Sequence, residues 1–206
     1  MLRGASPVAL ATPWAWSTSG SVKRVQAVGA VIAVGWAVLI LFWFVAAFST
    51  KRSHAVWSAG LRIRVVIAAA VLALIRLGVL RAPALDTDAL RAAVGLTLFG
   101  LGLMLAVWAR VQLGRNWGTP MSTKDDPELV RSGPYRLIRH PIYTGIVAAG
   151  AGTAIALNWH WLILVGLVAG YFVHAARVEE RYLQHEFPET YPAYQHSTKM
   201  LLPFIF

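Results

Sequence analysis

The 206-residue sequence contains no cysteine. That excludes a disulfide scaffold, a thiolate metal site and a cysteine nucleophile, and leaves the redox compartment open. Charge is scarce as well: Asp, Glu, Lys and Arg make up 14% of the chain, against about 25% in ordinary globular proteins. Several chemical signatures are missing. There is no phosphate-binding P-loop and no strand-turn-helix dinucleotide fingerprint, and Gly100-Leu101-Gly102 and Gly150-Ala151-Gly152 lie inside apolar runs where glycine serves close helix packing. No Gly-x-Ser-x-Gly elbow occurs, His185-Glu186 lacks the second histidine of a zinc-protease helix, and the six histidines show no ligand spacing, so no metal site is expected.

What is abundant is apolar. Hydrophobic residues are 57% of the chain, nine are Trp, and the mean hydropathy is +0.58. Disorder is excluded on that ground. The expected fold is all-α and polytopic, with about five transmembrane helices in a lipid bilayer. The apolar segments are Val25–Phe48, Val65–Leu80 (with Arg76 near its end), Ala92–Ala109, and a 35-residue stretch Ile142–Ala176 free of Lys, Arg, Asp and Glu. Asn158-Trp159-His160 divides the last into Ile142–Leu157 and Trp161–Ala176; one very long helix is the alternative. Residues 1–24, with Pro7, Pro13 and a Ser/Thr/Gly cluster at 17–21, read as a loose tail without a signal-peptide core. Residues 25–206 then form a single domain.

The net charge of +10 raises the question of nucleic acid. Its distribution answers it. With five crossings and a cytoplasmic C-terminus, 13 basic residues fall inside and five outside, which is the positive-inside bias. The charges follow alternating loops rather than one stripe, so no nucleic-acid partner is expected. The orientation read from this is N-terminus out and C-terminus in.

Polar chemistry is concentrated in the last hundred residues. Asn116 to His140 is a polar connection holding Lys124-Asp125-Asp126, a Ser132-Gly133-Pro134 turn and the cluster Arg136, Arg139 and His140. It delivers into a helix at Pro141, proline being favoured at the first helical position. His140 and Arg139 at that N-terminus suit an anion; the alternative is a helix cap beside arginines that meet lipid head groups. After the last crossing come Arg177, Glu179, Glu180, Arg181, Tyr182, His185, Glu186, Tyr191 and Tyr194. Val178, Tyr182, Leu183 and Phe187 fit one face of a helix leaving the membrane, on which Arg177 and Glu180 could pair at i, i+3. An adjacent pair of carboxylates beside a bilayer, in a chain with nine acids, is costly unless paired or used.

The run Gly133-Pro134-Tyr135-Arg136-Leu137-Ile138-Arg139-His140-Pro141-Ile142-Tyr143-Thr144-Gly145 resembles the signature of the isoprenylcysteine carboxyl methyltransferase family and its bacterial relatives. The family's tail pattern is matched by Glu179-Glu180, Leu183, Phe187, Tyr191, Tyr194 and Pro203, and Leu113-Gly114-Arg115-Asn116-Trp117 is similar to bacterial members. The likeness covers about residues 110–206. Pro188 stands where the family commonly has Gly.

The resemblance implies a membrane methyltransferase that uses S-adenosylmethionine (SAM), leaves S-adenosylhomocysteine (SAH), and lacks a Rossmann domain. It implies a bacterial inner-membrane location and a cytoplasm-facing pocket built from the last two crossings and the C-terminal segment. By that resemblance Tyr135, Arg139, His140, Tyr143, Glu179, Glu180 and Tyr191 are cofactor-binding, and Arg177 and Glu180 catalytic. Arg177 would guide a carboxylate acceptor, whereas an amine, thiol or hydroxyl acceptor would need a base such as Glu180. The acceptor is lipophilic or small, with carboxylate O-methylation favoured. Gly150 and Gly152 gain a possible cofactor role by analogy with phospholipid methyltransferases. The competing readings are a phospholipid-type N-methyltransferase, an NADPH-dependent reductase of the steroid-reductase type and a non-enzymatic accessory protein.

Overall fold

An apolar segment placed in lipid has to satisfy its backbone hydrogen bonds internally, and the long apolar runs of this chain do so as helices. A computed structural model describes residues 14–48, 53–55, seven positions between 65 and 76, 88–117, 122–124 and 128–202. Helix α1 spans Trp14–Ala47, α2 Ala89–Leu113, α3 Pro141–Ala156, α4 Trp161–Glu186 and α5 Tyr191–Ser197. A two-stranded antiparallel ladder, Ser53–Ala55 against Ser122–Lys124, is the one sheet among the described residues. Among the described residues three helical stretches are long and apolar enough to cross a membrane: Val22–Ala47, Ala89–Asn116 and Trp161–Glu186. Helix α3 is apolar but has 16 residues. Val34, Val38, Ile40, Leu41, Phe44 and Val45 of α1 all point outward, more than half exposed, as a lipid-facing surface requires. The chain is an all-α membrane protein.

The helix expected over Val65–Leu80 lies mostly outside the described residues, and the seven positions inside them are helical. One boundary differs from expectation. Helix α1 begins at Trp14, so the Ser/Thr/Gly cluster read as loose tail is helical. Weak helix formers cost only a few tenths of a kcal/mol each, too little to stop a helix that a long apolar run continues. Helix α4 passes the Ala176 end of its apolar segment without a break and runs ten residues further, as the helix expected to leave the membrane, through Arg177, Glu179, Glu180, Arg181 and Leu183, all good helix formers. It stops at Phe187, next to Pro188, whose ring disfavours helix in the residue before it.

Small residues set the closest contact in the bundle. Gly95 and Gly102 of α2 face Ala156 and Ala149 of α3, while Gly145 and Gly152 of α3 face Ala106 and Phe99 of α2. The seven-residue spacing on both helices keeps one seam together, and the pairing order makes the helices antiparallel. A β-carbon on Gly145 would lie 2.6 Å from the Gly102 carbonyl oxygen, so the backbones touch directly. In lipid such packing replaces the hydrophobic drive that water would supply. Helix α1 joins the pair through Trp36, whose indole lies edge-on to Phe99 at 5.7 Å and donates to Thr153 Oγ1 at 3.2 Å.

The turn between α3 and α4 falls at Asn158-Trp159-His160, as the polar interruption predicts. The Asn158 Oδ1 accepts the His160 backbone N–H at 2.9 Å, closing a tight local turn. This hairpin brings the start of α3 and the far end of α4 to the same end of the bundle.

Candidate active site

Gly133 adopts φ +59°, a left-handed conformation that glycine reaches without strain, and starts a 3-10 turn over Gly133–Arg136. Past that turn, Ile138 to His140 pairs with the C-terminal strip. The Arg139 N–H donates to the Lys199 carbonyl at 2.8 Å and the His140 N–H to the Met200 carbonyl at 3.1 Å. Thr144 Oγ1 adds a bond to the Leu201 carbonyl at 2.7 Å. His140 stands immediately before the first turn of α3, with Pro141 as its first residue.

The second cluster meets the first across this junction. Arg139 Nε donates to Glu180 Oε1 at 2.7 Å, and its terminal nitrogen donates to the carbonyls of Gln195 at 3.1 Å and Thr198 at 2.6 Å. His140 Nε2 is 3.2 Å from Glu180 Oε1 and its Nδ1 is 3.5 Å from Glu179 Oε2. The Tyr143 hydroxyl donates to Glu179 Oε1 at 2.6 Å, and Gln195 donates to the other Glu180 oxygen at 3.1 Å. The rings of His140, Tyr143 and Phe172 stack in series at 5.4 and 4.3 Å, nearly parallel. Tyr194 donates to the Tyr135 carbonyl at 2.8 Å, tying α5 beneath the 3-10 turn.

Electrostatics follow from this packing. Burial disfavours a charged His140, but the hydrogen bonds and charges of Glu179 and Glu180 outweigh it, so the imidazole titrates above its ordinary value. Burial keeps Tyr135 and Tyr191 protonated far into the alkaline range and pushes Tyr194 up to about 12. The phenols therefore act as neutral donors.

A cavity of about 400 Å³ opens beside the cluster, within the roughly 300–1,000 Å³ range of small-molecule sites. Tyr135, Arg139, His140, Tyr143, Glu179 and Tyr191 all line it. Glu180 does not. It is 5% exposed and lies behind the wall, with both oxygens engaged by Arg139, His140 and Gln195. Arg177 is exposed and is not brought to the cavity. On α4 the inward face carries Phe172, Ala175, Ala176 and Glu180, and Arg177 is turned about 100° from Ala176. The i, i+3 pairing of Arg177 with Glu180 does not form, since the carboxylate pairs with Arg139 and His140; the Arg177 carbonyl instead accepts from Arg181 Nε at 3.2 Å. Arg139 and His140 do not present an open anion site, because these carboxylates already occupy them.

Gly150 and Gly152 pack. A β-carbon on Gly150 would meet Val165 of α4, and Gly152 lies against the α2 backbone; neither lines the cavity. Sequence reasoning missed Trp43, Phe172, Gln195 and Thr198. Phe172 shares the helical spacing of Glu179, which was a usable signal; the roles of Gln195 and Thr198 depend on how the C-terminal strip folds back. Among the described residues no group of three metal-ligating side chains is assembled.

Fold and site together define a helical membrane protein with a carboxylate-edged, aromatic-walled pocket at one end. Residues 90–190 match the phospholipid methyltransferase family. The chain is 30% identical over 115 residues, 54% of this chain and 58% of the relative, to protein-S-isoprenylcysteine O-methyltransferase B of Arabidopsis thaliana. It is 35% identical over 114 residues, 52% of the chain and 49% of the relative, to the cobalt-zinc-cadmium resistance protein CzcN of Cupriavidus metallidurans. A 69-residue stretch, 34% of the chain and 28% of the relative, is 38% identical to methanethiol S-methyltransferase of Mycobacterium tuberculosis. The chain thus spans about half, or less, of the length of these relatives.

Proposed function

We propose that the protein is a SAM-dependent membrane methyltransferase whose cofactor occupies the 400 Å³ cavity. The observation that carries this reading is the pocket's donor and acceptor set. Tyr191 is fully buried, its hydroxyl has no hydrogen-bond partner, and the residue lines the cavity. Asn116 Oδ1 is also buried without a partner, on another part of the wall. An unmet buried polar atom costs about 1–3 kcal/mol, so each is explained by a polar ligand that completes it. The Glu179 carboxylate on the wall suits a cationic group. When bound, SAM supplies an electrophilic methyl group that needs no covalent enzyme intermediate.

The chain's own residues then have three tasks. Tyr143 and His140 hold the Glu179 carboxylate at the pocket edge, Arg139 and Glu180 lock the C-terminal strip over it, and the aromatic walls exclude water. Where the acceptor needs a base, Glu179 is the better placed of the pair, because it lines the cavity and Glu180 does not. Trp43, Leu113, Ile142 and Ile146 supply a large apolar share of the wall beside Asn116 and Glu128, which favours a lipophilic or small acceptor. Carboxylate O-methylation is the reaction favoured by the family likeness.

The same reading treats residues 25–206 as one domain in a bacterial inner membrane, with five crossings, the N-terminus out and the site facing the cytoplasm. The excess of basic residues in alternate loops supports it. The test is to supply membranes carrying the protein with SAM labelled in its methyl group. Label should enter a solvent-extractable acceptor in wild type and fall at least tenfold in Tyr191→Phe and Glu179→Gln. Equal label in empty membranes would refute the reading.

A further inference from the structure

A second cleft lies on the outer side of the same junction, lined by Arg131, Arg136, Ala193, Tyr194, Ser197 and Thr198. Both arginines are exposed, and among the described residues neither has an ion-pair partner. The hydroxyls of Ser197 and Thr198 donate inward to the Tyr194 carbonyl at 2.9 and 2.6 Å, so the donors facing outward are the two guanidiniums. Two exposed guanidinium groups lining one concave surface give it a positive potential that favours an anion. The planar donor fork matches phosphate oxygens in pairs. Arg136 precedes by five residues the start of apolar α3, so the cleft stands where the chain leaves the bilayer.

We propose that this cleft binds a phosphate group, and that its occupant fastens the C-terminal strip. Two of its lining residues also belong to the network around the main cavity. Tyr194 holds the Tyr135 carbonyl, and Thr198 holds Arg139 through both its carbonyl and its hydroxyl. An anion that draws Arg131 and Arg136 onto α5 therefore presses the strip against the wall that carries Arg139. The phosphate has two possible sources with the same chemistry, an anionic lipid head group or a soluble phosphate. This inference stands apart from the methyl-transfer reading.

The experiment uses the full chain in a zwitterionic detergent and in nanodiscs. Melting temperature is followed with inorganic phosphate in detergent, and compared between phosphatidylglycerol and phosphatidylcholine nanodiscs. A saturable rise with phosphate, lost in the Arg131→Gln/Arg136→Gln double variant, establishes the site and a soluble source. A rise only in phosphatidylglycerol discs, also lost in the double variant, establishes a lipid source. The apparent affinity should weaken about tenfold or more with both arginines gone. Arg136→Gln alone, expected to weaken binding partly, serves if the double variant does not purify. The same shift in wild type and variants, or no shift with either anion, overturns the proposal.

Discussion

Arg139 and Glu180 are paired at 2.7 Å although 41 positions separate them, and both side chains are less than a tenth exposed. The pair joins the start of α3 to the outer end of α4, and through Gln195 and Thr198 it holds the C-terminal strip. Breaking a buried pair from one side leaves an uncompensated charge and costs about 3–5 kcal/mol. Glu180→Gln is therefore expected to lower the melting temperature of the detergent-purified protein by several degrees. The double variant Glu180→Gln/Arg139→Gln should be less destabilised than the two single effects added together. Strict additivity would mean the two side chains do not act as a pair.

The Tyr143 hydroxyl, 2.6 Å from Glu179, makes a bond to a charged group, a kind worth about 1.5–3 kcal/mol. Tyr143→Phe keeps the ring stack on Phe172 and removes only that bond. Affinity for SAH should drop about tenfold, and the melting temperature should fall by a few degrees. An unchanged affinity by titration calorimetry would take Glu179 out of the cofactor site.

Packing predicts a contrast between two neighbouring glycines. A side chain at Gly102 would strike the backbone of α3, whereas nothing lies within 4 Å of a β-carbon at Gly100. Gly102→Val should yield aggregated protein on size exclusion; Gly100→Ala should elute and melt like wild type. Equivalent behaviour of the two would contradict the α2–α3 seam.

How far the sequence revealed this arrangement depends on the scale of the feature. Long apolar runs, the Asn158-Trp159-His160 break and Pro141 each act locally, so α2, α3 and the hairpin to α4 were legible. The rotation of α4 was not: Arg177 and Glu180 are both polar, and only the contact with Arg139 decides which turns inward. Gln195 and Thr198 gave no signal because they work through backbone carbonyls and a fold-back that no periodicity encodes. Of the glycines read as packing, Gly102 and Gly152 lie on the α2–α3 seam and Gly150 against α4, Gly100 meets nothing, and the other seam glycines, Gly95 and Gly145, belong to no Gly-x-Gly pair that marked them.

His140 predicts a pH dependence of stability. Its folded-state value is raised above the ordinary 6.5, burial being outweighed by Glu179 and Glu180. The protonated ring therefore stabilises the fold fully below about pH 6.5, and that contribution is lost as pH rises through the raised value. Melting temperatures of wild type and His140→Gln, measured from pH 6 to 9, should differ most at the acid end and converge toward the alkaline end. A difference that grows with pH would show that the ring is buried neutral.

The central claim is that the cavity bounded by Tyr143, Glu179 and Tyr191 holds SAM, and titration calorimetry on the detergent-purified protein tests it most directly. Saturable binding of SAM and SAH is expected, weakened at least tenfold in His140→Ala and Tyr191→Phe and preserved within about twofold in Arg177→Ala, with no heat from NADPH. Binding of NADPH without SAM or SAH would contradict the account.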